Sequence, residues 1–226
     1  RIEEKGINPQ NISVIPPWSH DDNIQNIPHD KNPFRKEYNL TGKFVIMYSG
    51  NHSLIHPLNT LLEAALRLRN DPRMIFLFVG GGVGVQDVLR FKEEHSLQNI
   101  LYLPYQPREK LSYSLSAADL HVVVMGNKFV GIVHPCKIYG ILAVGKPFVF
   151  IGPKESHVGD LISREKIGYL IEHGQTEDLI EVICNVKNLK DSEKLFIEQK
   201  SEELISMHYA RGVLSPFVVS AIKKCL

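Results

Sequence analysis

Phe44 to His52 reads FVIMYSGNH: an uncharged run rich in β-branched and aromatic residues, closed by Gly50 and a polar pair. A strand with one wet face alternates apolar and polar residues, whereas a strand covered on both faces is apolar throughout, and this run is of the second kind. The segment that follows changes period. Leu58, Leu61, Leu62, Ala65 and Leu66 recur at three and four residues, which is one stripe of a helix. The same alternation continues outward. Strands are expected at Phe44–Ser49, Met74–Val79, Asn99–Leu103, Leu120–Met125, Pro147–Ile151 and Tyr169–Glu172, with helical patterns at 57–69, 85–96, 108–117, 135–144, 156–165 and 176–187. Such an order predicts an α/β fold: a doubly wound, Rossmann-like parallel sheet of about six strands with helices on both faces.

The two ends read differently. Residues 1–42 hold one strand-like run (ISVIP), a polar stretch containing Asp21, Asp22 and Asp30, and a weak helix around Phe34–Leu40. They are expected to form a leading segment and linker packed on the domain of residues 43–189. Residues 190–208 and 213–225 are two helical patterns with no strand between them. The 190–226 tail is expected to pack on the sheet or to cross to an N-terminal domain outside this sequence. The start at Arg1 and the linker-like first forty residues suggest a fragment of a longer chain.

Charge and cysteine content exclude several classes. Lys and Arg number 26 against 25 Asp and Glu, for a net charge of +1. That balance lacks the basic field of a nucleic-acid binder, so no nucleic-acid partner is expected. Cys136, Cys184 and Cys225 are widely spaced and contain no C-x-x-C pair, so neither a disulfide framework nor a zinc knuckle is indicated and a cytoplasmic setting fits. No apolar run approaches the roughly 18 residues of a membrane span.

In open α/β sheets ligands sit at the carboxyl ends of strands, so the strand-to-helix loops carry the chemistry. Three stand out: Gly50-Asn51-His52-Ser53 leading to His56-Pro57, Val79-Gly80-Gly81-Gly82, and Gly131 through His134-Pro135-Cys136-Lys137. Two of them place a His-Pro pair where a helix is expected to begin. Free amides and the positive helix pole there form an anion site, and a diphosphate is the natural guest. Lys137 beside such a pole is unfavourable unless an anion offsets it. The dinucleotide pattern G-x-G-x-x-G fails at Val85 or Asp87, the P-loop pattern is broken by Pro147 after Gly145-Lys146, and no G-x-S-x-G elbow is present.

Block by block, in order over nearly the whole chain, the sequence resembles the C-terminal, nucleotide-sugar-binding half of retaining glycosyltransferases of the GT-B fold, group 1 or family 4 type. The residues carrying the likeness are ISVIPPW, VIMYSGNH, LNTLLEAALRL, FLFVGGG, ILYLPYQPREKLSYSLSAADLHVVV, KIYGILAVGKPFVFIG and SHVGDLISREKIGYLIEHGQTEDLIEVI. The resemblance implies a nucleoside diphosphate sugar (UDP-, GDP- or ADP-linked) as donor substrate, with no metal and no further cofactor. Gly50, Asn51 and His52 would line one side of the diphosphate, and Val133, His134, Pro135, Cys136 and Lys137 the other. Tyr105 and Gln106 would read the base, and Gly81 and Gly82 would lie near the nucleotide. The sequence departs from the family where Asn51 and His56 replace an arginine and a lysine, and where Ile132 and Gly140 replace a pair of glutamates, the second of which grips ribose hydroxyls. A related subset with GNH and P-x-K-x-Y dispenses with the first glutamate, as Asn51 and Lys137 suggest here.

The expected function is therefore transfer of a sugar from a nucleoside diphosphate sugar to a saccharide or lipid-linked acceptor. The acceptor would be held by the N-terminal domain, the isolated piece would bind nucleotide without turnover, and any contact with the cytoplasmic face of a membrane would come through that domain. Two alternatives stay open at this point: half of a nucleotide-sugar epimerase, or a non-catalytic nucleotide-binding module, the latter favoured by the two replaced glutamates.

Overall fold

The computed structural model of the chain describes residues 3–18 and 24–224. Six parallel strands form one sheet: β1 (Phe44–Asn51), β2 (Met74–Gly81), β3 (Ile100–Leu103), β4 (Leu120–Val124), β5 (Phe148–Ile151) and β6 (Tyr169–Ile171), in the order β3-β2-β1-β4-β5-β6. The chain runs outward from β1 to β3 and then returns to start again at β4. This leaves a switch point between β1 and β4, whose register pairs Ile46 with Leu120 and Met47 with His121.

Alternate residues of each strand feed opposite cores. Ile46, Tyr48, Phe76, Phe78, Val122 and Val124 meet α2 (Asn59–Arg67), α3 (Val85–Glu94) and α7 (Thr176–Lys187). On the other face Val45, Met47, Leu77 and Val79 meet α1 (Pro33–Glu37) and the Ala117-Ala118 end of α4 (Leu111–Ser116). Val123, Phe148 and Phe150 pack there on α5 (Lys137–Ala143), α6 (His157–Glu165) and α8 (Asp191–Leu204). Both faces are dry, which is why these strands are apolar throughout. A turn of π-helix over Ile205–Tyr209 leads from α8 into α9 (Arg211–Lys223).

The leading segment is tied down by polar bonds. Asn32 donates from Nδ2 to the Tyr113 carbonyl (2.8 Å), and the Ile27 amide donates to Ser116 Oγ (2.9 Å). Arg35 is buried, and its guanidinium donates to the carbonyls of Ala117, Leu40 and Lys43 and pairs with Asp119 at 3.2 Å. Asp119 in turn accepts from the Val45 amide at 2.8 Å, so the first strand and the leading helix share one carboxylate.

Three expectations change. ISVIP is not a strand: it is irregular with Val14 exposed, because Pro16 ends it, Pro17 follows, and strand propensity counts only where a sheet edge is offered. The α2 and α5 helices begin at Asn59 and Lys137, so Pro57 and Pro135 sit two residues ahead of them rather than in their first turn. The helix expected around Phe34–Leu40 is confined to Pro33–Glu37. Asp21, Asp22 and Cys225 lie outside the described residues.

Candidate functional site

At the carboxyl edge β1 and β2 stay paired to their ends, Gly50 opposite Gly80 and Asn51 opposite Gly81. The pairing then continues into the loops, with the His52 amide donating to the Gly81 carbonyl (2.7 Å) and the Gly84 amide to the His52 carbonyl (2.9 Å). Two of these positions demand glycine. Gly80 has φ +135° and a Cβ there would stand 2.0 Å from the Gly50 oxygen, while Gly82 has φ +123° and its Cβ would stand 2.3 Å from the His52 oxygen. The result is a ledge of bare backbone beside the switch point.

Two tyrosines bound this ledge on the β3 side. Tyr102 donates to the Gly80 carbonyl (2.9 Å), and the exposed Tyr105 ring lies so close to Gly81 that a Cβ there would be 2.9 Å from Tyr105 Cε2. Gln106 donates its amide to the Pro104 carbonyl within the same loop (2.9 Å).

Lys137, the first residue of α5, reaches across the switch point to the end of β1. Its Nζ would be 3.2 Å from a Cβ on Gly50, sits 3.8 Å from the centre of the Tyr48 ring, is buried, and has no hydrogen-bond partner among the described residues. Burial brings its pKa down to about 7. The same ammonium adds to burial in lowering His52 and His56, the latter to about 4. Tyr48, whose own hydroxyl donates to the Asn51 carbonyl at 2.7 Å, gives the cation an aromatic face and no counter-charge. A buried ammonium that meets no anion among the described residues is costly, and a negatively charged guest would offset that cost. Next to it, a cavity of about 200 Å³ opens among Ser49, Leu115, Cys136, Lys137, Gly140 and their neighbours, and among the described residues no carboxylate lines it.

The profile of the family described as Glycosyl transferases group 1 matches residues 30–203. The chain belongs to that family. It is 32% identical over 160 residues to WcaI of Escherichia coli K12, whose name places it in colanic acid biosynthesis as a glycosyl transferase, covering 70% of this chain and 39% of WcaI. It is 22% identical over 222 residues to WbjE of Pseudomonas aeruginosa, named as a glycosyltransferase, covering 96% of this chain and 55% of WbjE. This group 1 chain therefore spans about half the length of its relatives or less. Among solved structures, Anabaena Alr3699/HepE in complex with UDP superposes with a TM-score of 0.80 at 16% identity, covering 98% of this chain and 60% of that one, which shows a common fold.

Within this glycosyltransferase fold, the structure brings some of the sequence-expected residues together and separates others. Gly50, Gly81, Gly82, Asn51, Tyr105 and Lys137 gather at one edge. His52 does not present its ring there. It is fully buried, with Nδ1 3.1 Å from the Gly50 carbonyl and the ring edge-on to Tyr48 at 5.0 Å, because continued strand pairing keeps residue 52 on the inner face with Tyr48. The amides expected of residues 133–136 are mostly committed. Val133 donates to the Phe129 carbonyl (3.0 Å) while its side chain packs on the core, Cys136 donates to the His134 carbonyl (2.9 Å), and Pro135 has no N–H. Lys137 rather than a convergence of helix-mouth amides supplies the positive charge. His134 is held through Nε2 by the Tyr139 hydroxyl at 2.9 Å. Tyr48 and Tyr102 carry no expected role in the sequence, and nothing in their local pattern separates them from core aromatics, whereas Tyr139 is the last residue of the P-x-K-x-Y pattern, to which no contact is assigned. At the departure positions, Ile132 is exposed, and a Cβ on Gly140 would meet Leu115 Cδ1 at 3.3 Å.

Proposed function

We propose that this chain is the donor-binding half of a retaining glycosyltransferase that moves a sugar from a nucleoside diphosphate sugar to a saccharide or lipid-linked acceptor, the acceptor being held by an N-terminal domain outside this sequence. One observation carries the reading: the Lys137 ammonium, unpaired among the described residues, stands against Gly50, where the glycine ledge that continues to Gly80–Gly82 meets the switch point of an open parallel sheet. When the bond between the anomeric carbon and the diphosphate breaks, negative charge grows on the diphosphate. A cation already desolvated at that spot stabilises this charge without reorganisation. The base rests on the exposed Tyr105 ring, and His134 and Lys137 take the phosphates. Any association with the cytoplasmic face of a membrane belongs to the part of the protein that carries the acceptor.

Calorimetric titration with UDP, GDP and ADP tests this directly. Saturable binding with preference for one base is expected, and the His134→Ala/Lys137→Ala double variant should lose affinity for the diphosphates while affinity for the matching nucleoside is kept. No binding of any of the three at millimolar concentration, or equal loss for nucleoside and diphosphate, overturns the assignment.

A further inference from the structure

Tyr139 and His157, which the reading above leaves unused, form a hydrogen-bonded group with His134. The Tyr139 hydroxyl is 2.9 Å from His134 Nε2 and 3.4 Å from His157 Nε2, and the two imidazole centres are 4.4 Å apart. Tyr209, from the turn after α8, closes the group with its ring 5.0 Å from that of Tyr139. The charged groups facing it are Arg164 and Asp160 on α6, and among the described residues neither histidine has a carboxylate hydrogen-bonded to it. Burial keeps both rings neutral, bringing His134 to about 4 with His157 adding to the effect, and lowering His157 with help from Arg164 against Asp160.

Proton counting then restricts the arrangement. One hydroxyl carries one hydrogen, so it can donate to only one of the two imidazole nitrogens, and a bond to the other requires that nitrogen's N–H to donate to the oxygen. When the hydroxyl donates within the group, the two histidines are opposite tautomers. O–H donors make shorter contacts than N–H donors, so in that arrangement the 2.9 Å contact is donation toward His134 and the 3.4 Å contact donation from His157. His134, accepting at Nε2, then keeps its own proton on Nδ1, an atom reached by no hydrogen bond among the described residues.

We propose that Tyr139 is a positioning residue: with His157 behind it, it fixes His134 as the Nδ1–H tautomer, so that the loop before α5 presents a neutral N–H donor to the phosphates of the nucleotide held by Lys137. This rests on the donor-site reading. It also gives Tyr139 a role in the site although its ring is buried.

Long-range proton–nitrogen correlation spectra of the chain labelled with ¹⁵N-histidine, recorded near pH 7.5 with His134 assigned by its loss in His134→Gln, report the tautomer without any ligand. The expected pattern is Nδ1 protonated and Nε2 unprotonated. In Tyr139→Phe the Nε2–H form should become populated, and affinity for UDP (or for whichever of GDP and ADP binds) should fall about tenfold with affinity for the nucleoside unchanged. A wild-type His134 protonated on Nε2 overturns the proposal. So does a Tyr139→Phe spectrum identical to the wild type, or a variant that binds the nucleotide as tightly as its parent. If no nucleoside diphosphate binds the wild type, the donor-site reading fails, and the positioning role fails with it even where the tautomer is as expected.

Discussion

Lys137 Nζ stands 3.8 Å above the centre of the Tyr48 ring, on the far side of the switch point from the strand that carries Tyr48. The contact spans the gap between α5 and β1 and gives the ammonium attraction without neutralising it. An aromatic face offsets part of the lost hydration, typically about 1–2 kcal/mol, far less than an anion would supply. The free protein therefore holds a cation in reserve at the position where a phosphate is proposed to arrive.

This arrangement makes binding pH-dependent. Lys137 sits near pKa 7 when unliganded, and a diphosphate beside it raises that value. Affinity for UDP should be level up to about pH 7 and then fall, by at most tenfold per pH unit, as the free protein releases the proton that the complex requires. Calorimetry at pH 8 in two buffers of different ionisation enthalpy should show uptake of up to one proton per nucleotide. A result of no uptake would count against Lys137 as the phosphate ligand.

Stability should move in the opposite sense. The folded pKa lies below the ordinary lysine value of about 10.4, so between about pH 7 and 10.4 the unfolded chain binds more protons and stability rises with pH. Lys137→Met removes the buried charge and should raise stability by about 1 kcal/mol or more at pH 6.5, with the gain vanishing above pH 10. Thermal melts across this range check it, and the same variant should lose most of its preference for UDP over uridine.

Tyr105→Ala separates the base from the phosphates. Loss of the aromatic platform should weaken uridine and UDP alike, by about 1–3 kcal/mol if UDP is the nucleotide bound. A variant that loses UDP affinity but retains that of the nucleoside would place the base elsewhere.

Glycine substitutions should divide sharply by position. Gly80→Ala or Gly82→Ala forces a side chain into a carbonyl at left-handed φ and should destabilise by about 2–4 kcal/mol. Gly212 lies in α9 with nothing within 4 Å of its absent Cβ, and Gly212→Ala should stabilise by about 0.5–1 kcal/mol. Urea unfolding with an unchanged m-value is the measurement.

Arg35→Ala strips donors from the carbonyls of Ala117, Leu40 and Lys43 and leaves Asp119 without its guanidinium. A loss of about 3–5 kcal/mol is expected. Denaturation that shows less than 1 kcal/mol would mean that the leading segment is not held by this residue.

The sheet could be read from the sequence because burial on both faces leaves a simple mark: FVIMYS, MIFLFV and PFVFI are apolar without alternation. The glycine turns were legible for the same kind of reason, since only glycine tolerates Gly80 and Gly82 geometry. The direction of His52 was not. A loop histidine ordinarily faces solvent, and its inward turn follows from pairing with Gly81 that extends β1 beyond its apolar run. The prolines misled in a similar way. Pro57 and Pro135 marked helix starts two residues early, because the turns that precede α2 and α5 close on Ser53–His56 and His134–Cys136 contacts that sequence patterns do not display. Lys137 was flagged for its position at a helix start, but its reach to Tyr48 depends on β1 and β4 being neighbours, which is a property of strand order.

The ledge at Gly50 and Gly80–Gly82 is not an appended loop; it is the last rungs of the central ladder. Its amides should therefore exchange with deuterium about as slowly as the middle of β1, opening only when the whole cooperative unit opens. A floor of that kind offers evolution little freedom to retune the guest from below, and adaptation to a new donor would have to come from the opposite wall, where α5 begins.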